Sequence, residues 1–438
     1  MRTKQIHHIS NPEIFKQQLL LWSQQFDTVV WLDSNNYGHN QLQYDAILAV
    51  DEFTSIKTDY VNAFDKLKEY QSITNDWIFG YLTYDLKNDV EDLSSKNFDG
   101  LGFPDLYFFQ PQKLFLLKGN RLEMHYLRMV DDDFDDDLKA ISLYEECQSE
   151  LVEDKLRSNV SNPIKIQLRI HKDAYFGKVI TMLEHIHRGD IYEANFCQEF
   201  YAEDTQINPI ETYNKLNSIS KPPFATFLKL NDKYLLSASP ERYIKKEGQT
   251  VVSQPIKGTA KRSVDLEEDK ILKKQLENDP KERSENVMIV DLVRNDLSKT
   301  AIKGSVVVTE LCKVYTFDQV HQMISTIEAK VDTSVSPVDI IRTTFPMGSM
   351  TGAPKISAMK IIEELEETKR GLYSGAFGYV TPEGDFDFNV VIRSILYNAS
   401  KHFVSYSVGG AITAKSDPLK EYEECLIKAK AMREVLEN

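Results

Sequence analysis

Cysteine is scarce and scattered: Cys147, Cys197, Cys312 and Cys425 stand far apart, and no two form a Cys-x-x-Cys pair. That spacing argues against a zinc site and a disulfide framework, and isolated thiols suit a reducing compartment. Long apolar runs are missing too. Nothing approaches the roughly 20 residues of a membrane-spanning helix, and the opening residues MRTKQIHHISNPEIF lack the apolar core of a secretory signal. Positive charge is in deficit, with 52 Lys and Arg against 67 Asp and Glu and a net charge of −15. No nucleic acid partner is expected, because phosphates require a basic face. A small anionic ligand remains compatible, since it needs only a local positive site. The expectation is a soluble cytoplasmic protein with no membrane or nucleic acid partner.

What is present is the composition of a folded chain, 42% hydrophobic and 27% charged. Residues 14–26 have helical periodicity, whereas 28–32, 77–84 and 106–118 are rich in branched and aromatic side chains and read as strands. The acidic block 131–137 (DDDFDDD) reads as a solvated loop. The polar stretch 150–165 is the candidate boundary between an N-terminal α/β part, 1–150, and a second part, 165–438. Beyond it, 171–188 reads as an amphipathic helix closed by Gly189. Strands are expected at 195–201, 224–230, 234–238, 376–380, 388–396 and 403–408, and helices at 280–293, 356–369 and 418–436. Strands dominate, so the fold class is α+β, with antiparallel sheets and helices packed on them.

Several segments carry chemistry. In Gln254-Pro255-Ile256-Lys257-Gly258-Thr259 a lysine is fixed between a proline and a glycine. A desolvated lysine can lose its proton and become a nucleophile; alone, an ordinary surface lysine explains it equally. Glu282 and Glu285 on one expected helix, and Glu421 and Glu424 on another, are each three residues apart. Such pairs share a helix face, and facing pairs make a hard oxygen site suited to Mg2+; each alone also fits a solvated face. Lys428 lies on the same face as Glu421 and Glu424, to pair with them or to reach a carboxylate. The run FPMGSMTGAPK at 345–355 precedes a helix and offers backbone N–H groups as an anion cradle. Its glycine spacing is wrong for a nucleotide-binding P-loop. Gly409 and Gly410 form a second glycine turn. Arg393, in an apolar strand, is either paired internally or held for an anion. Glu241, in Ser239-Pro240-Glu241-Arg242, is a candidate general acid or the partner of a nearby arginine.

Together these segments resemble the chorismate-utilising enzymes, which include anthranilate, isochorismate, salicylate and aminodeoxychorismate synthases. The matching pieces, in order, are Gly189-Asp190-Ile191-Tyr192, Ser239-Pro240-Glu241, PIKGT at 255–259, ENVMIVDLVRNDL at 285–297, FPMGSMTGAPK at 345–355, RGLYSGAFGYV at 370–380, Ile392-Arg393 and SDPLKEYEECLIKA at 416–429. The likeness is strong over 165–438 and weaker over 1–150, where Leu32-Asp33-Ser34 loosely matches a regulatory tryptophan pocket of relatives. It implies a sandwich of antiparallel sheets with helices outside, as in anthranilate synthase component I. It also implies that 165–438 is the chorismate-binding catalytic domain. Glu285 and Glu424 would ligate Mg2+, with Glu282 and Glu421 supporting through waters. Thr259, Tyr373, Arg393, the backbone at Gly409 and Ala411, and Lys428 would hold the substrate.

Lys257 selects the branch by resemblance. Anthranilate and isochorismate synthases usually have alanine there, whereas PIKGT marks the aminodeoxychorismate synthases, component I. In that branch the lysine attacks ring C2 while the C4 hydroxyl leaves, protonated by Glu241. Ammonia then displaces the lysine, giving 4-amino-4-deoxychorismate for 4-aminobenzoate and folate synthesis. No cysteine lies in a Gly-x-Cys-x-Gly elbow, so ammonia is expected from a separate glutamine amidotransferase subunit. Three positions depart from the family pattern: Gln322 replaces a histidine associated with aromatisation, Glu193 a common glutamine, and Asn286 a histidine. The alternatives are anthranilate synthase component I and a catalytically silent regulatory or binding member of the family.

Overall fold

The computed structural model describes residues 2–37, 43–144, 164–317 and 320–437. Alternation along the strands decides the architecture. In Thr28–Asp33, Val29 and Trp31 pack against helices, while Val30 enters a separate cluster. Leu106–Lys118 is apolar on both faces: Leu106 and Phe108 meet one helical layer and Phe115 and Leu117 another. Tyr107, Phe109, Leu114 and Leu116 point inward between the layers. The fully buried members of this inner cluster come from strands and their connections, without a helical residue. Strands buried on both faces are what a sandwich with outer helices requires. Every ladder between strands is antiparallel, the α+β class expected from the sequence.

The strand Ala46–Thr58 pairs along most of Leu106–Lys118. The first half of Leu106–Lys118 also pairs with Ile78–Leu82 and its second half with Arg121–Leu127, so it belongs to both layers. Strands from the first 150 residues continue into the rest of the sheet: Thr28–Asp33 pairs with Phe224–Leu230, and Ile78–Leu82 with Ala376–Val380.

Some elements differ from the sequence reading, each for a local reason. The acidic block ends in a helix, Phe134–Ser142, because Phe134 and Ile141 are buried, and Asp133 and Asp137 hold Lys113 Nζ at 2.8 and 2.6 Å. The helix expected to reach residue 369 is Lys355–Leu365, since Glu366 turns extended to meet Arg370. The strand expected over 388–396 breaks into Phe386–Val390 and Ser394–Asn398, with Arg393 between them at φ 53°. Gly409 and Gly410 are not a turn but lie inside the strand Phe403–Thr413. A Cβ on Gly409 would stand 2.4 Å from Cys197 Sγ and 2.7 Å from Phe196 O, so glycine serves close approach there. Residues 150–163 of the expected boundary lie outside the described residues.

Candidate active site

The site is built on the strand Glu193–Ala202, which lies between Phe403–Thr413 and the short strand Gly352–Ala353. A Cβ on Gly352 would come within 2.2 Å of Glu193 O, so only glycine lets this brace close on Glu193. The glycine-rich run therefore acts as a buttress, where the sequence suggested an anion cradle. Ser349 O accepts from Asn195 Nδ2 at 2.9 Å, and Lys355 Nζ is committed to Asp296 at 2.7 Å.

Lys257 lies in the strand Ile256–Lys261, whose register against Val320–Lys330 skips between Ile256 and Thr259. That irregularity, with Gly258 at φ +96°, re-aims the lysine. Asn286 secures it. Its Nδ2 donates to Lys257 O at 3.5 Å and to Met323 O at 3.4 Å, and its Oδ1 accepts from Ser325 Oγ. The departure from histidine at this position thus ties the helix Pro280–Ser298 to the lysine's own backbone.

Lys257 Nζ is 3.4 Å from Glu193 Oε1. Burial pulls its pKa down, but the charges of Glu193, Glu285 and Glu241 outweigh burial and leave it raised. The expectation that desolvation strips this lysine of its proton is therefore not met in the resting site. Glu241 is buried 3% exposed, and burial pushes its pKa up to about 7 despite donors from Ser349 and the Ile256 N–H and the charge of Lys257. Its neighbour Arg242 is engaged elsewhere, with Asp387 at 2.9 Å and Gln254 at 2.7 Å.

The helices Pro280–Ser298 and Pro418–Glu437 bring Glu282, Glu285, Glu421 and Glu424 within the field of Lys281. Lys281 Nζ sits 3.8 Å from Glu285 Oε1 and 3.6 Å from Glu421 Oε1. Burial lifts Glu285 to about 7, offset only partly by Lys257 and Lys281. Glu285 Oε1 and Glu421 Oε2 are buried without a hydrogen-bond partner among the described residues. Such stranded carboxylate oxygens fit a hard cation, although no three carboxylates among the described residues close on one point. Glu424 differs: burial opposes its ionisation, but Lys428, at 2.6 Å, holds its pKa below the usual carboxylate value.

Lys428 Nζ also donates to Gly409 O at 2.9 Å. Opposite Gly409 and Ala411 stand Cys197 and Asn195, whose N–H groups go to Glu366 and to Thr351 O. These are therefore non-hydrogen-bonded pairs of the ladder, and Gly409 and Ala411 direct their N–H groups away from Glu193–Ala202. Tyr373 is buried beside Cys197 Sγ, 3.7 Å from its hydroxyl. The Arg393 guanidinium makes no hydrogen bond or ion pair among the described residues; burial lowers its pKa against the fields of Tyr373 and Glu424. Thr259 is exposed and faces Gln322 across the ladder, while His321 points the other way to Asp269 at 3.1 Å. Sequence reasoning missed two members. Glu193 stood out only as a departure, 64 positions from Lys257, and Lys281 had no motif to mark it.

Away from Lys257 lies a separate cavity of about 50 Å³, lined by Leu32, Asp33, Ser34, Phe224, Tyr379 and Asn389 among others.

The fold is an antiparallel sandwich with outer helices, and its charged site sets glutamates from two helices around a half-buried lysine. Residues 27–434 match the chorismate binding enzymes, and the chain belongs to that family. It is 34% identical to anthranilate synthase component 1 of Thermus thermophilus over 82% of this chain and 77% of that protein. It is 40% identical to aminodeoxychorismate synthase component 1 of Salmonella typhimurium over 58% of this chain and 55% of that protein. Among solved structures, anthranilate synthase component I from Streptococcus pneumoniae superposes with a TM-score of 0.74 at 26% identity, covering 88% of this chain and 91% of that one. None of the described helices is long and apolar enough to cross a membrane.

Proposed function

We propose that this chain is the chorismate-aminating component of an aminodeoxychorismate synthase, converting chorismate and ammonia to 4-amino-4-deoxychorismate for 4-aminobenzoate and folate synthesis. The observation that carries the reading is the half-buried Lys257 of PIKGT, set among carboxylates with Glu241 poised near neutrality. Once neutral, the Lys257 amine attacks ring C2. The ring double bond shifts, the C4–O bond breaks, and Glu241 protonates the departing hydroxyl so that it leaves as water. Ammonia then attacks C4, the double bond shifts back, and the C2–N bond breaks to return Lys257. The outward N–H groups of Gly409 and Ala411, with Arg393, Tyr373, Lys428 and Thr259, hold the substrate. Glu285, Glu424, Glu282 and Glu421 are the residues that would hold Mg2+. When bound, the ion polarises the ring carboxylate and withdraws electron density from the ring.

The ammonia source in this reading is a separate glutamine amidotransferase subunit, and the compartment is the cytoplasm. In this reading the cavity at Leu32-Asp33-Ser34 serves as a regulatory pocket, with a purely structural role as the alternative. Mass spectrometry of products from pure protein, chorismate, Mg2+ and ammonium at alkaline pH tests the reading. Aminodeoxychorismate is expected, and it should vanish in Lys257→Ala. The likeness to the Thermus protein favours one rival, anthranilate synthase component I. Anthranilate and pyruvate as products would establish it, and would mean that Gln322, in place of the family's histidine, does not block elimination.

A further inference from the structure

Lys257 presents a contradiction that the proposed reaction must resolve. The reaction needs a neutral amine, and the resting site keeps the lysine protonated. Burial alone would favour the neutral form, so the carboxylates around it decide its state. Five carry charge toward it: Glu193 from the strand Glu193–Ala202, Glu285 and Glu282 from one helix, Glu424 from another, and Glu241. Only Glu193 approaches within ion-pair distance, at 3.4 Å.

The four others already have tasks. Glu285, Glu282 and Glu424 belong to the cation basket, and Glu241 receives donors from Ser349 and Ile256 as the acid for the departing hydroxyl. Glu193 has no such task. It is 1% exposed, and its Oε2 is buried without a hydrogen-bond partner among the described residues. Gly352 and the flanking strands fix its backbone. The geometry leaves room for a proton: Oε1 already faces the Lys257 ammonium, and Oε2 has no hydrogen bond to give up among the described residues.

Resting on the reading above, we propose that Glu193 is the proton acceptor of Lys257. One N–H bond of the ammonium breaks as an O–H bond forms on Glu193, leaving a neutral amine and a carboxylic acid. When ammonia expels the lysine from C2, the same proton returns to Nζ, so the pair closes each turnover unchanged. Glutamine at this position can pair with the lysine but cannot take its proton.

The test follows formation of the chorismate adduct on Lys257 by rapid quench and intact-protein mass spectrometry, without ammonia, alongside aminodeoxychorismate formation with ammonia. Glu193→Gln keeps the shape and is expected to slow adduct formation about 100-fold or more, the range of a lost general base. Chorismate affinity, measured by equilibrium binding, should change little, which reports an assembled site. Glu193→Ala is expected to be equally slow. Sodium formate should accelerate that variant in proportion to its concentration, a rescue that a structural role for Glu193 does not produce. Adduct formation by Glu193→Gln at the wild-type rate, or faster because the lysine has been released from its partner, overturns the assignment. So does Glu193→Ala that is indifferent to formate. If the wild type makes aminodeoxychorismate and these results appear, Glu193 falls alone. If the wild type forms neither adduct nor aminated product, the underlying reading falls and takes the inference with it.

Discussion

Two ionic clusters adjoin the strand Glu193–Ala202, and they are built on opposite principles. Around Arg370 every charge is answered. Its Nε and Nη2 meet the two Glu366 oxygens at 2.9 and 2.7 Å, Nη1 donates to Met350 O at 2.6 Å, and Nη2 also reaches Asn195 O at 2.7 Å. Glu366 in turn accepts from the Cys197 N–H at 2.9 Å, and the guanidinium stacks over Tyr84. Around Lys257 and Lys281, by contrast, carboxylates outnumber cations, and Glu193, Glu285 and Glu421 each leave an oxygen without a hydrogen bond among the described residues. A saturated network fixes backbone positions, whereas stranded oxygens are capacity reserved for a proton or a cation. The first cluster holds the strand from which the second acts.

The sharpest break in the comparison is Arg370→Met. Stripping one partner from a buried, fully hydrogen-bonded pair costs about 3–5 kcal/mol. Urea denaturation should show a loss of that size, with activity falling only as folded protein is lost. A stable but inactive variant would move Arg370 into the site.

Glu421→Gln should do the reverse. Activity is expected to drop roughly 10- to 100-fold, while the metal-free protein changes little in stability, because losing the charge relieves the buried Oε2 that has no hydrogen bond but gives up the 3.6 Å ion pair with Lys281. Mg2+ is expected to raise the wild-type Tm through binding linkage, and the same substitution should abolish that rise. An undiminished Mg2+-dependent rise would remove Glu421 from the cation basket.

Glu241 supplies a pH test. Its folded pKa is raised to about 7 by burial, so it binds its proton more tightly folded than unfolded. Its contribution to stability is complete below its ordinary value near 4.5 and is lost as pH rises through 7. As the acid for the leaving hydroxyl it must also be protonated to act, so kcat/KM should fall about tenfold per pH unit above 7. Glu241→Gln should flatten both limbs, read by the difference from wild type in urea titrations and in rate profiles between pH 6 and 9. A wild-type profile that rises through 7 would show that this carboxyl does not deliver the proton.

The scaffold and the site were unequally legible in the sequence. The glutamates proposed to hold a cation were legible as two pairs, because Glu282 with Glu285, and Glu421 with Glu424, are local pairs whose shared face follows from helical geometry. Lys257 stood out because Pro255 and Gly258 restrain its loop. What stayed hidden is non-local. Arg370 and Glu366 are neighbours on the chain, yet their hold on Asn195 and Met350 arises from packing. The pairing of Glu193 with Lys257 depends on a strand register that no spacing encodes. Gly409 was misread as part of a turn because glycine signals both tight turns and close approach, and only the nearby Cys197 tells them apart. The edge strand Arg2–His8 went unseen because its polar alternation, half solvated beside Arg121–Leu127, resembles a tail.

The smallest expected stability effect belongs to Lys428, which straddles the two principles. It is paired, with Glu424 at 2.6 Å and Gly409 O at 2.9 Å, as scaffold groups are. Yet its side chain is 29% exposed and that of Glu424 44%, so water screens the pair. Lys428→Met should therefore change stability by no more than about 1 kcal/mol. Its effect on function should be larger than its effect on folding, because the ammonium stands beside the strand edge where Gly409 and Ala411 turn their N–H groups outward. Loss of one cation there should raise KM for chorismate about tenfold, the worth of a single charge-assisted hydrogen bond, with kcat changed less. Lys428→Arg should recover part of the affinity. If urea titration instead finds Lys428→Met destabilised by several kcal/mol with KM unmoved, Lys428 is a strut between the last helix and Phe403–Thr413, and the division drawn here between answered and reserved charge runs on the other side of it.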